Sequence, residues 1–98
     1  MLMMAYWEVN PDKDIKEVAK LGAQLAQSGK FPTKGIKIIA WYTTPSSPLW
    51  GVIVEEAESE EAAFNALLAW TKAMPGIFSC FKLSPALPTE KAIPLALT

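Results

Sequence analysis

Two groups of side chains in this sequence have residue types that could do chemistry. The first is a run of carboxylates that could in principle offer oxygen ligands to Mg²⁺ or Ca²⁺, namely Glu55, Glu56, Glu58, Glu60 and Glu61. The second is an aromatic pair, Tyr6 and Trp41, with an acid or base nearby that could be Glu8, Lys37 or Glu55. Such a pocket would suit a small planar or acyl ligand.

Each of these groups also has a purely structural explanation. Carboxylates at the start of a helix complement its dipole, and Tyr and Trp are common at protein interfaces. Cys80 could be a redox or nucleophilic thiol, but the chain has no His or Arg to lower its pKa, so an inert buried residue is expected. Lys37 and Lys82 could bind a carboxylate, although solvated or ion-paired lysines are commoner. We therefore predict no metal site and no cofactor.

The composition excludes several classes of mechanism. With no Arg and no His among 98 residues, the chain cannot build a Ser-His-Asp or Cys-His site, a His-ligated haem or an ordinary zinc site. Nine Lys against ten Asp plus Glu leave no basic cluster for nucleic acid. The single cysteine rules out an intrachain disulfide and favours a cytoplasmic location, and no apolar run is long enough to span a membrane.

The segments that must position these residues are six in number. Strands are predicted at Leu2–Val9, Ile36–Thr43, Leu49–Glu56 and Ile77–Leu83. Helices are predicted from Asn10-Pro11 to about Ser28, and from Glu58 or Ser59 to the break at Pro75-Gly76. The order βαββαβ predicts an α+β, ferredoxin-like domain over residues 1–84, with a four-stranded antiparallel sheet and both helices on one face.

The proline-containing tail, residues 85–98, is too apolar to remain free in water. We expect it to dock on its own domain or on a partner subunit.

Alternation along each strand divides the sheet into two faces, and we expect the uncharged set to lie beneath the helices because a buried unpaired charge is costly. That set is Met3, Ala5, Trp7, Val9, Ile36, Ile38, Ala40, Tyr42, Trp50, Val52, Val54, Ile77, Phe81 and Leu83. A one-residue bulge would exchange the faces of a strand beyond it.

The opposite face is still mostly apolar, so we predict that it packs against a second copy of the chain to form a homodimer. The residues expected to line the space between the paired sheets, and to bind any ligand there, are Tyr6, Ile39, Trp41, Ile53, Glu55 and Phe78.

Several segments together resemble a known family, the domain of unknown function DUF3303, over roughly residues 1–90. They are the opening Met-Met-Ala-Tyr-Trp, the Pro-Thr-Lys-Gly-Ile-Lys before Ile38-Ile39-Ala40-Trp41, the strand Gly51–Glu56 with Ala57 following, and Ala69-Trp70. The resemblance implies a dimeric α+β barrel, a superfamily in which several branches use a cavity for cofactor-free oxygenation, isomerisation, haem chemistry or ligand binding. Family members often carry His after the Trp of the second strand, where this chain has Tyr42.

Three functions are compatible with the sequence. The main hypothesis is a small homodimer that binds a small apolar ligand between its paired sheets. The alternatives are a cofactor-independent oxygenase or isomerase with its site in the same cavity, and a structural or interaction domain without a ligand.

Overall fold

The computed structural model describes all 98 residues. The chain forms a four-stranded antiparallel sheet of order β2-β3-β1-β4, which confirms the predicted α+β ferredoxin-like fold. The elements are β1 (Leu2–Val9), α1 (Ile15–Gln27), β2 (Ile36–Thr44), β3 (Trp50–Ala57), α2 (Glu60–Ala73), β4 (Phe78–Pro85) and α3 (Thr89–Ala96).

Helix α1 begins later than the sequence predicts. Asp14 is its N-cap, and the carboxylate accepts a hydrogen bond from the backbone N–H of Lys16 at 2.8 Å. The Asn10 side chain accepts a hydrogen bond from the backbone N–H of Asp12. The segment predicted to contain the first helical residues therefore forms a turn instead. The helix ends before Gly29, whose φ of 72° is a conformation that glycine adopts without a steric penalty.

Helix α2 has the predicted start and end. The Ser59 hydroxyl accepts a hydrogen bond from the backbone N–H of Ala62 at 3.0 Å, and Glu60 and Glu61 occupy the first turn. Pro75 and Gly76 follow the helix directly. Its buried residues, Ala63 and Ala66, are small, and this leaves room between the helix and the sheet.

Strand β3 presents to the helices the face that is predicted to point away from them. Ala5 of β1 pairs with Ile53, and Trp7 pairs with Gly51, so these residues share the covered face. Ile53, Glu55 and Ala57 are buried there. The residues predicted to be in the core of this strand lie on the open face instead: Trp50, Val52 and Val54.

Two of the other strands change faces part-way along. In β2 the register shifts between Ile38 and Ala40, so Ile36, Ile38 and Trp41 lie on the helix side while Tyr42 is 71% exposed on the open face. The pairing of β4 with β1 shifts after Glu8, so β4 changes faces there and Phe78 joins Val9 on the helix side. The predicted core positions of Ala40 and Tyr42, and the predicted open-face positions of Trp41 and Phe78, are therefore wrong.

The C-terminal tail forms a helix that the sequence analysis did not predict. The backbone N–H of Ala86 donates to the carbonyl of Leu2 and extends the sheet edge, and α3 then follows. Helix α3 has no buried residue, and Ile93, Leu95 and Leu97 are 54%, 63% and 83% exposed. Docking of this tail on its own domain or on a partner subunit stays a prediction.

Gly51 is a position where the packing leaves no room for a side chain. A β-carbon there would overlap the Trp7 ring and the carbonyl oxygen of Tyr42. We expect Gly51→Ala to lower the free energy of unfolding by about 1 to 3 kcal/mol, as overpacking usually does. Urea denaturation would measure this change.

Gly22 in the middle of α1 is the matched control. A β-carbon there would meet Trp70 at an ordinary 3.5 Å. Gly22→Ala should therefore raise the free energy of unfolding by about 0.5 to 1 kcal/mol, because Ala favours the helix. Equal effects of the two substitutions would contradict this account of the packing.

No helix is both long and apolar enough to cross a lipid bilayer.

Candidate functional site

A cavity of about 420 Å³ lies between the sheet and helices α1 and α2. This volume is within the range of small-molecule sites. Residues from all four strands and both helices line it, and 19 of the 22 are hydrophobic. The exposed residues Ile15, Ala19 and Ala26 of α1 belong to the lining, so the cavity reaches the surface beside this helix.

Six aromatic rings make up much of the cavity lining. Phe31, Trp41 and Trp70 meet edge to face, with ring centroids 5.1 to 6.0 Å apart. Phe78 lies 6.0 Å from Trp7 and 5.3 Å from Phe81 in tilted contacts. Aromatic rings favour edge-to-face and offset contacts, so a flat ring entering this space would find suitable partners on several sides.

The Trp70 ring of the second helix packs beside Gly22 of the first, at a distance that the β-carbon of an alanine would also tolerate. Trp70 of α2 in turn contacts Phe31, which follows α1, and Trp41 of β2. These contacts tie both helices to the edge strand and close that part of the cavity.

Glu55 places a carboxyl group in this apolar space. The residue is only 3% exposed, and its Oε2 has no hydrogen-bond partner. Its register partners are Met3 and Ile38, and no salt bridge reaches it. Burial raises the pKa of the Glu55 carboxyl above its usual value near 4.5. The group can donate a hydrogen bond when protonated and accept hydrogen bonds or a proton when ionised.

The charge of the lining is as informative as its shape. No lysine borders the cavity, and the chain contains no Arg or His. An anionic ligand would therefore lose its hydration without gaining a countercharge. Together with the buried carboxyl, this lining favours a neutral, largely apolar molecule that has a hydrogen-bonding group.

The structure divides the six residues predicted from the sequence to bind a ligand. It brings Trp41, Ile53, Glu55 and Phe78 together in the cavity beneath the helices, not between two sheets. Tyr6 lies on the open face, and Ile39, at the β2 register shift, is 55% exposed.

Sequence reasoning missed several aromatic residues of the cavity. Trp7 and Phe81 are predicted in the core beneath the helices, because apolar periodicity cannot distinguish a packed interior from a lined cavity. Trp70 lies in the predicted second helix and Phe31 lies between the predicted first helix and second strand, and neither is predicted to line a site. The available signal was the pairing of large aromatic residues with the small Gly22, Ala63 and Ala66 on the facing helices.

The polar residues of the open face form a separate group. The Tyr6 hydroxyl donates to Glu8 Oε1 at 2.8 Å, and this hydrogen bond, with burial and the Glu8 charge, raises the pKa of Tyr6. Trp50 lies 5.8 Å from the Tyr6 ring, and the Lys82 ammonium lies 6.0 Å from it. Cys80 is a free, half-buried thiol. Lys37 pairs in register with Glu56 at the other margin of the sheet.

The run of carboxylates is dispersed by the fold. Glu55 is buried beneath the helices, Glu56 forms an ion pair of 3.3 Å with the amino terminus, and Glu60 and Glu61 lie in the first turn of α2. The backbone N–H of Glu58 donates to the carbonyl of Gly35. No three potential metal ligands converge anywhere in the chain.

Comparisons with known proteins identify a family and a fold. The family model of the domain of unknown function DUF3303 matches residues 1–97. A crystal structure from Caulobacter crescentus CB15, provisionally described as an antibiotic biosynthesis monooxygenase, is similar at a TM-score of 0.50 and 20% identity, over 89% of each chain. No protein with a curated function matches the sequence. At this identity the structural likeness concerns the fold alone.

Proposed function

The chain belongs to the family of the domain of unknown function DUF3303, and from that premise we propose that it binds a small, neutral, planar apolar molecule in the cavity between its sheet and helices. The observation that carries the proposal is the Glu55 carboxyl, which is buried among apolar residues with an unpartnered Oε2. A buried polar group without a partner is costly. A ligand that hydrogen-bonds to Glu55 would remove this cost.

The lining supports a flat ligand rather than a flexible aliphatic one. Aromatic rings surround the space both on the side of the helices and on the side of the sheet. Contacts between these rings and the ring of a ligand would add to the free energy gained by burying apolar surface. The absence of lysine from the lining supports a hydroxyl or carbonyl group over a carboxylate or phosphate. A phenol meets all of these requirements.

Calorimetric titration at pH 7 tests this proposal with two biphenyl probes of matched shape. We expect para-phenylphenol to bind and para-phenylbenzoate, which is anionic, to bind at least about tenfold more weakly because of its uncompensated charge. Ala66→Phe fills the cavity and should abolish binding, whereas Ala73→Phe at the exposed end of α2 should preserve it. Preferential binding of the carboxylate, or binding to Ala66→Phe, would contradict the proposal.

An enzymatic role of the same cavity is the second candidate, and it is favoured by the Glu55 carboxyl, which lines the cavity with an unpartnered Oε2 and whose pKa burial raises. The ionised carboxylate would take a proton from a carbon beside a carbonyl group and return it to another carbon, an isomerisation that needs no co-reactant. Exchange of ligand hydrogen for deuterium in D₂O, lost in Glu55→Gln, would support it. Binding without exchange would leave the binding function alone.

We further propose that the open face of the sheet packs against a second copy of the chain. This face is mostly apolar on β1, β2 and β3, whereas β4 contributes Cys80, Lys82 and Ser84 to it. Met4, Ile39 and Tyr42 are 49%, 55% and 71% exposed in the single chain. Soluble monomers rarely expose so broad an apolar surface. A two-fold pairing would bury the same face of both copies. The single cysteine fits a cytoplasmic location for this dimer.

A further inference from the structure

Thr43 provides a second polar position in the cavity. Apart from the tryptophan indoles, Glu55 and Thr43 are the lining residues with polar side-chain atoms. The Thr43 hydroxyl makes no hydrogen bond to the protein, while the neighbouring Thr44 hydroxyl bonds to the carbonyl of Trp50 on the other side of the strand. Thr43 is therefore free to bond to a ligand or to water.

The sheet register gives the separation of the two polar positions. Thr43 pairs with Gly51 of β3, and Glu55 lies four residues further along the same strand. At about 3.3 Å per residue, the two positions are roughly 13 Å apart along the sheet. Glu55 is buried and Thr43 is exposed, so one position is at the closed end of the cavity and the other is at its surface.

The surface between the two positions is apolar. Trp41 and Ile53 pair with each other in register midway between Thr43 and Glu55, and both line the cavity. A ligand that spans this distance would therefore contact apolar groups along its middle and polar groups only at its ends.

Resting on the proposed function, we infer that the ligand of this cavity is an elongated, planar, neutral molecule with a hydrogen-bonding group at each end. The inner group bonds to Glu55 and the outer group to Thr43. Thr43 is thus a specificity-determining residue, which selects ligands by length and by the presence of the outer group.

Calorimetry with para,para′-biphenol and para-phenylphenol tests this inference, because the two probes differ only in the outer hydroxyl. Wild-type protein should bind the biphenol roughly four- to twentyfold more tightly, because one net hydrogen bond is worth about two- to tenfold and the two equivalent hydroxyls of the biphenol add a factor of about two. Thr43→Val, which keeps the shape of the side chain, should retain only the roughly twofold statistical difference. Thr44→Val, on the opposite side of the strand, should retain the preference.

The outcomes separate this inference from the proposed function. Suppose that para-phenylphenol binds wild type and fails to bind Ala66→Phe. If wild type then prefers the biphenol by no more than about twofold, or if Thr43→Val keeps the full wild-type preference, the role of Thr43 is overturned and the cavity function stands. If neither probe binds wild type, both proposals are overturned.

Discussion

Glu55→Leu is expected to stabilise the free protein by about 1 to 3 kcal/mol at pH 7 while removing its selectivity for phenols. The substitution replaces an unpartnered carboxyl by an apolar group among apolar neighbours, so the cost of burying Glu55 disappears. In a domain of this size, such a gain raises the melting temperature by several degrees. The variant should bind para-phenylphenol no better than biphenyl.

The pH dependence of the free energy of unfolding provides a second test of the effect of Glu55→Leu. The folded protein keeps the Glu55 proton in a pH range where the unfolded chain has lost it, because the folded pKa is raised above 4.5. The free energy of unfolding of wild type should therefore fall as the pH rises from about 4.5, and level off above the folded pKa. Glu55→Leu should lack this decline.

Glu61→Leu, an exposed position on α2, serves as the control and should leave stability unchanged or slightly lower. Thermal denaturation across a pH series measures all three proteins. A destabilised Glu55→Leu variant, or one with the wild-type pH dependence, would mean that the carboxyl has a favourable role in the empty protein.

Val54→Lys is expected to dissociate the proposed dimer. Val54 lies on the open face between Met4 and Ala40, its register partners on the two neighbouring strands. A lysine there would bury an unpaired charge in both copies, at a cost of about 3 kcal/mol or more, which corresponds to a dissociation constant over a hundredfold higher. Sedimentation equilibrium at micromolar concentration measures the change.

Ala73→Lys is the matched control because it places the same charge on α2, away from the open face of the sheet, and it should remain dimeric. A wild-type chain that sediments as a monomer would overturn the dimer. Equal dimerisation of wild type and Val54→Lys would place the contact on another surface.

The order of the elements could be predicted because local signals are strong in this chain. Ser59 with Glu60 and Glu61 indicates the start of α2, and Pro75-Gly76 its end. The predicted start of α1 at Asn10-Pro11 is wrong because both Asn10 and Asp14 can cap a helix. The structure decides between them, since Asp14 caps the helix and Asn10 forms a turn. The tail helix is not predicted because the three prolines of residues 85–98, of which only Pro94 lies within the helix, argue against regular structure.

The faces of β3 and of the second half of β2 could not be predicted, for two physical reasons. The register shift after Ile38 reverses the alternation in β2, and a bulge of this kind has no clear sequence signal here. In β3 the assignment assumed that a carboxylate avoids the covered face, yet Glu55 is buried there. The rule that unpaired charged groups avoid the covered face follows from stability, and it fails at Glu55, a position that we assign to binding. Such exceptions are expected at functional sites.

The direct test of the central claim is a crystal structure of the protein with para-phenylphenol. We expect its hydroxyl within about 2.5 to 3.0 Å of a Glu55 carboxyl oxygen and its rings in the cavity between the sheet and the helices. The claim would be contradicted by a cavity filled by the protein's own side chains, or by a ligand bound between the sheets of two copies instead.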